Sequence, residues 1–133
     1  MATDVVRTVP GITVSIARDP ALVRTVRLVA AAVARRSSRD EEFVEEVRLA
    51  VAEACTLLMG ASHVEDDPVT VRLSVDARFH VEVSSDGPMT PQGGLSGDVT
   101  GIEPWVLLRA LNDDLSLAQD GSRTVVSMSW PLS

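Results

Sequence analysis

The chain contains a single cysteine, Cys55, so no intrachain disulfide can form. Its position inside an apolar helical run reads as a buried, inert thiol and points only weakly to a reducing compartment. Tyrosine and lysine are absent, and all twelve basic residues are arginine, a bias of composition to which no chemistry attaches. No apolar stretch approaches the roughly 18 uncharged residues that a spanning helix needs, and MATDVVRTVP has no basic segment followed by an apolar core. The expectation is a soluble, unprocessed, cytoplasmic protein. Positive charge is also scarce. Nineteen acidic residues against twelve basic ones give a net charge of −7, which argues against a general nucleic-acid binder or an anionic-membrane binder. A protein or small-molecule partner is expected instead. No Ser/His/Asp triad, CxxC pair or P-loop can be assembled.

The 133 residues are 45% hydrophobic, enough for one core and one domain spanning 1–133. GITVSIA alternates Ile12, Val14 and Ile16 with polar neighbours, predicting a strand over 11–17. Asp19-Pro20 supplies a cap and a first-turn proline for a helix over about 20–35, with Leu22, Val26, Val29 and Val33 at helical spacing. Ser38 and Glu41 form a capping box for a second helix, which carries Phe43, Val44, Val47, Val51, Ala54, Cys55 and Leu58 and ends near Gly60. VTVRLSVD and RFHVEVSSD predict a hairpin turning at Asp76-Ala77. Residues 86–101 lack apolar periodicity and read as a flexible lid loop. PWVLLRALNDD restores helical spacing through Trp105, Leu108 and Leu111, and two strands then meet at Asp120-Gly121. This order predicts an α/β two-layer sandwich, a mostly antiparallel, mixed sheet with three helices on one face.

LAVAEACTLLMG, residues 49–60, holds one carboxylate, Glu53, in an otherwise apolar run. An unpaired carboxylate there costs several kcal/mol. Glu53 must therefore pair with an arginine, shift its pKa upward, or line a cavity.

VRLAVAEACTLLMGAS resembles the N-box helix of the small anti-sigma-factor kinases of the RsbW/SpoIIAB type, within the GHKL (histidine-kinase-like) ATPases, whose usual form resembles RLAVSEACTNAVRHA. DPALVRTVRLVAAAV is similar to that family's first helix. VEVSSDGP is similar to the strand entering its adenine-binding D-x-G-x-G box, and VLLRALNDDLSL with GSRTVVSMSW to its closing helix and hairpin. The resemblance implies the Bergerat fold of the GHKL ATPases, with ATP or ADP as nucleotide. It implies Glu53 as general base toward a serine hydroxyl on an antagonist protein. The family's asparagine four residues on, which holds Mg²⁺, corresponds to Leu57, and its histidine to Ala61. A hydrocarbon offers a hard cation no oxygen, so the bridging metal loses its protein anchor. Asp86 and Gly87 correspond to the adenine box, with Pro88-Met89-Thr90 in place of the second glycine. Glu103 falls near the expected phosphate site, and Thr124 matches a hydroxyl near adenine or is an ordinary strand threonine.

Helix one carries Arg24, Arg27, Arg35 and Arg36, with Arg39 beyond, either a solvated face or a surface for an acidic partner. Arg24 corresponds to an arginine on the family's partner-binding face, and Arg27 is the second candidate. The resemblance implies an anti-sigma factor that sequesters an alternative RNA polymerase sigma factor and releases it when an anti-anti-sigma (STAS) protein competes, with weakened or lost ATP and Mg use. The alternatives are an active serine/threonine kinase acting on that antagonist, or an orphan nucleotide-sensing domain. A homodimer through the edge strand 11–17 is also implied. His63-Val64-Glu65-Asp66-Asp67 reads as an acidic turn or a metal site, and His80 as facing away from its inward neighbours.

Overall fold

The computed structural model describes residues 11–61, 67–86, 104–112 and 114–132. Strand β1 (Gly11–Ile16) is followed by a 3₁₀ turn (Pro20–Leu22) and then α1 (Val23–Ser37), α2 (Glu41–Ala61), β2 (Val69–Val75), β3 (Arg78–Asp86), α3 (Pro104–Leu111), β4 (Ser116–Asp120) and β5 (Arg123–Pro131). The five strands form one sheet in the order β1-β2-β3-β5-β4, and each of these pairings is antiparallel.

Asp19 does cap the first helical segment, its Oδ1 accepting from the Ala21 N–H at 3.0 Å, but the turn it opens is 3₁₀ and the α-helix begins at Val23. The second helix is capped by Asp40 rather than Ser38. Asp40 Oδ1 accepts from the Glu42 N–H and its carbonyl from the Val44 N–H, while Ser38 is extended and closes the end of α1. Ser38 Oγ instead accepts from the Asp40 N–H.

The core lies between the sheet and the helices. Phe79, Val81 and Val83 of β3 and Val126, Met128 and Trp130 of β5 present one face to Val44, Val47, Val51 and Leu58 of α2. Three of the chain's four aromatic rings meet there edge-on, Phe43 with Phe79 at 5.4 Å between centroids and Trp130 at 6.3–6.4 Å from both. The buried side of α1 is narrower than the valine spacing suggests. Ala30, Ala31 and Ala34 are buried, whereas Val29 and Val33 are only partly so. α1 packs on α2, and these alanines share one buried core with Ala50 and Ala54 of α2.

Two glycines are fixed by geometry. A Cβ on Gly11 would sit 2.4 Å from the Leu73 carbonyl oxygen, and Gly121 turns the last hairpin at φ 63°. β1 is an edge strand with Ile12 45% exposed. Among the described residues no helix is long and apolar enough to cross a membrane. The expected lid beyond Asp86, with Gly87, Glu103 and His63 to Asp66, lies outside the described residues.

Candidate functional site

Glu53 lies on the half-buried edge of α2 and lines an open groove of ≈ 610 Å³ between α1 and α2. Pro20 and Ala21 of the 3₁₀ turn with Val23, Arg24 and Arg27 of α1 form one wall, and Ala52, Glu53 and Thr56 of α2 the other. The residues singled out separately for base chemistry and for partner binding thus share one groove. Among the described residues neither Arg24, Arg27 nor Glu53 forms an ion pair, so Glu53 lines a cavity instead of closing on an arginine. Arg27 Nε is shielded from solvent with no hydrogen-bond partner. Both signs of charge therefore remain uncommitted in the groove.

One turn beyond Glu53, Leu57 is 3% exposed and belongs to the hydrophobic core. The position from which the resemblance expects an amide oxygen is hydrocarbon packed on hydrocarbon.

Asp86 ends β3 with its carboxylate already engaged. Its Oδ1 accepts from Arg123 Nη1 at 3.2 Å, and Arg123 Nη2 donates to Ser84 Oγ at 2.9 Å. These three side chains share the sheet face that points away from the helices. Strand alternation puts Ser85, in register with Thr124, on the inner face with Phe79, Val81 and Val83. Ser85 and Thr124 are each 1% exposed, and Thr124 Oγ1 accepts from Gln119 Nε2 at 2.9 Å. Asp86 is thus not the side chain facing inward beside Thr124; Ser85 is. The motif's own spacing carried that signal, because D-x-G counted back from Gly87 reaches residue 85.

Sequence reasoning missed Arg18. Its guanidinium, 9% exposed, donates from Nη1 to the Leu58 and Met59 carbonyls at 2.8 and 3.3 Å and from Nε to the Asp67 carbonyl at 2.9 Å. It lies 3.6 Å from the Asp67 carboxylate, which accepts from the Asp86 N–H at 2.5 Å. One cation thus satisfies two of the last four carbonyls of α2 and ties that helix end, through Asp67, to the end of β3. His80 lies on the outer face, as alternation predicts, and bonds Asp76 at 3.0 Å. Among the described residues no cluster of three or more His, Cys, Asp or Glu could hold a metal.

The fold is similar to the crystal structure of the RsbU and RsbW domains of Rv1364c from Mycobacterium tuberculosis, with a TM-score of 0.70 at 14% identity. The match covers 92% of this chain and 32% of that one, so the chain spans about a third of that structure's length. No curated protein matches the chain in sequence. The model of the histidine kinase-like ATPase domain matches residues 16–130. That family implies a bound nucleotide. The described residues do not fit one carried with magnesium in the way the resemblance expects, because Leu57, at the position of the metal-holding amide, has no donor atom to offer. The matched span takes in every element of the domain from the end of β1 to β5, and the chain belongs to the histidine kinase-like ATPase domain family.

Proposed function

We propose that this domain acts by protein docking, as an anti-sigma factor of the RsbW type that sequesters an alternative sigma factor and yields it to a STAS-domain antagonist. The observation that carries this reading is the contrast on α2. Leu57 is sealed in the core, while in the groove beside it Arg24, Arg27 and Glu53 form no ion pair among the described residues. Uncommitted arginines on a chain of net charge −7 favour an acidic partner surface, where guanidinium–carboxylate pairs set register and association rate. Without a metal anchor, release follows from competition for the groove rather than from phosphorylation of the antagonist.

One observation favours the second reading, an active kinase. Glu53 is half-exposed and unpaired, as a general base toward a partner hydroxyl would be. The two readings separate in one experiment. The chain is used as bait for purified sigma factors and STAS proteins, and captured STAS protein is then incubated with radiolabelled Mg-ATP. Docking predicts capture that Arg24→Glu weakens at least tenfold, with no label transferred. Transfer that disappears in Glu53→Gln would establish the kinase instead.

A further inference from the structure

Two large apolar side chains stand in solvent beside the docking groove. Leu28 of α1 is 65% exposed and Leu49 of α2 is 41% exposed. The order of burial on α1 is inverted, since the helix buries Ala30, Ala31 and Ala34 and holds its one leucine out. Packing for the core alone favours the larger side chain inside.

Helical spacing puts both leucines in the rows that line the groove. Leu28 lies one turn beyond Arg24, and Leu49 lies one turn before Glu53, in one row with Ala52 and Thr56. α1 and α2 pack together and are joined only by Ser38 to Asp40, so they run antiparallel. The Arg35–Glu41 ion pair bridges them near this join, and the groove opens toward the far end. Leu28 and Leu49 both fall between the two. A lone exposed leucine needs no partner, but two at one level of adjoining helices, next to a groove, make a patch.

Charge decides what covers the patch. α1 carries four arginines and no acidic residue on a chain of net charge −7, and Arg24 is exposed. On α2, Glu45 and Glu53 stand one turn to either side of Leu49. Carboxylates interleaved with the arginines repel an anionic membrane and suit a surface of discrete side chains.

We infer that the occupant is an amphipathic α-helix of the partner protein, with two apolar residues one turn apart on Leu28 and Leu49 and acidic residues a further turn along, facing Arg24. A straight groove between two antiparallel helices takes a third helix, whose apolar and charged positions recur at the same spacing as the rows beneath it. Glu53 requires the acidic residues to lie on the α1 side of that helix. The inference rests on the docking reading given above and names the partner's chemistry.

The test is NMR of the chain labelled at its leucine methyl groups, with Leu28→Ser and Leu49→Ser assigning the two resonances. The probe is an acetylated, alanine-rich helical peptide bearing two leucines one turn apart and two glutamates one turn further. The expected result is a saturable shift of both methyl resonances, with binding at least tenfold weaker when the peptide's leucines become alanine, when its glutamates become glutamine, or in Leu28→Ser. Lysines in place of the glutamates should restore binding to Arg24→Glu. The inference is overturned by the absence of a saturable shift, by peptide binding that survives loss of the leucines or of the glutamates, or by shifts that arise only with vesicles of phosphatidylcholine and phosphatidylserine in equal parts. Peptide binding by a chain that captures neither sigma factor nor STAS protein would support the helix-binding surface and sink the anti-sigma reading. Capture of either protein that Leu28→Ser leaves intact would do the reverse.

Discussion

Glu53 and Leu57 stand one helical turn apart on α2 and meet opposite environments: the carboxylate lines an open groove, and the leucine is 3% exposed within the core. The resemblance to the anti-sigma-factor kinases expects a metal-holding amide oxygen at the second position. The core has claimed that position for packing, which makes Leu57 a stability residue.

Leu57→Asn is therefore expected to destabilise the chain by about 3 kcal/mol, through lost burial and an amide left without partners. Leu57→Met, which conserves volume, should cost under about 1.5 kcal/mol. Urea denaturation of the three proteins checks both values. Equal stability of Leu57→Asn and the parent chain would mean that residue 57 is not packed as described.

Arg18 and Asp67 form the most buried ion pair among the described residues, side chains 9% and 11% exposed. Arg18→Ala strands two helix-terminal carbonyls and a carboxylate, and a loss of about 3 kcal/mol is expected by thermal or urea unfolding. Arg18→Lys should recover only part of this, because an ammonium cannot reach Leu58, Met59 and Asp67 with a planar fork.

Cys55 is fully buried, and burial pushes its thiol from 9.0 up to about 12. The native chain should resist thiol reagents at pH 8 and react on unfolding. Because the folded value is raised, the contribution to stability is complete below the unfolded value near 9.0 and declines as pH rises from there toward about 12. Cys55→Ser or Cys55→Ala should flatten that alkaline decline, as read from melting temperature against pH.

Asp76 shows the opposite sign. The Arg78 backbone N–H and then the His80 side chain hold its carboxyl below the usual range. Its stabilising effect is present above the unfolded carboxylate pKa of about 3.9 and is lost as pH falls through the depressed folded value. A ¹³C carboxyl titration should place Asp76 below a free aspartate, and Asp76→Asn should reduce the acid-side drop in melting temperature.

Much of the fold was legible because alternation and helical spacing are local. Val81 and Val83 face the core as the period-two pattern required, and Asp19 caps where its proline neighbour indicated. The buried alanines of α1 were hidden because alanine adds little to an apolar pattern, yet Ala30, Ala31 and Ala34 are the residues that α1 buries along its middle. Asp40 displaced Ser38 as cap because the first helix uses Ser38 at its own end. Arg18 could not be found locally, since its partners lie 40 to 49 residues away. Parity on β3 decided between Ser85 and Asp86 once Arg123 was seen across from the latter.

The proposed docking role rests on Leu57 standing where the resemblance expects a metal-holding asparagine. Calorimetric titration of the chain with ATP, once in excess Mg²⁺ and once in excess EDTA, tests it most directly. The prediction is that Mg²⁺ leaves any ATP affinity within about twofold of the metal-free value. A tenfold or greater gain in affinity with Mg²⁺, about 1.4 kcal/mol, would contradict it.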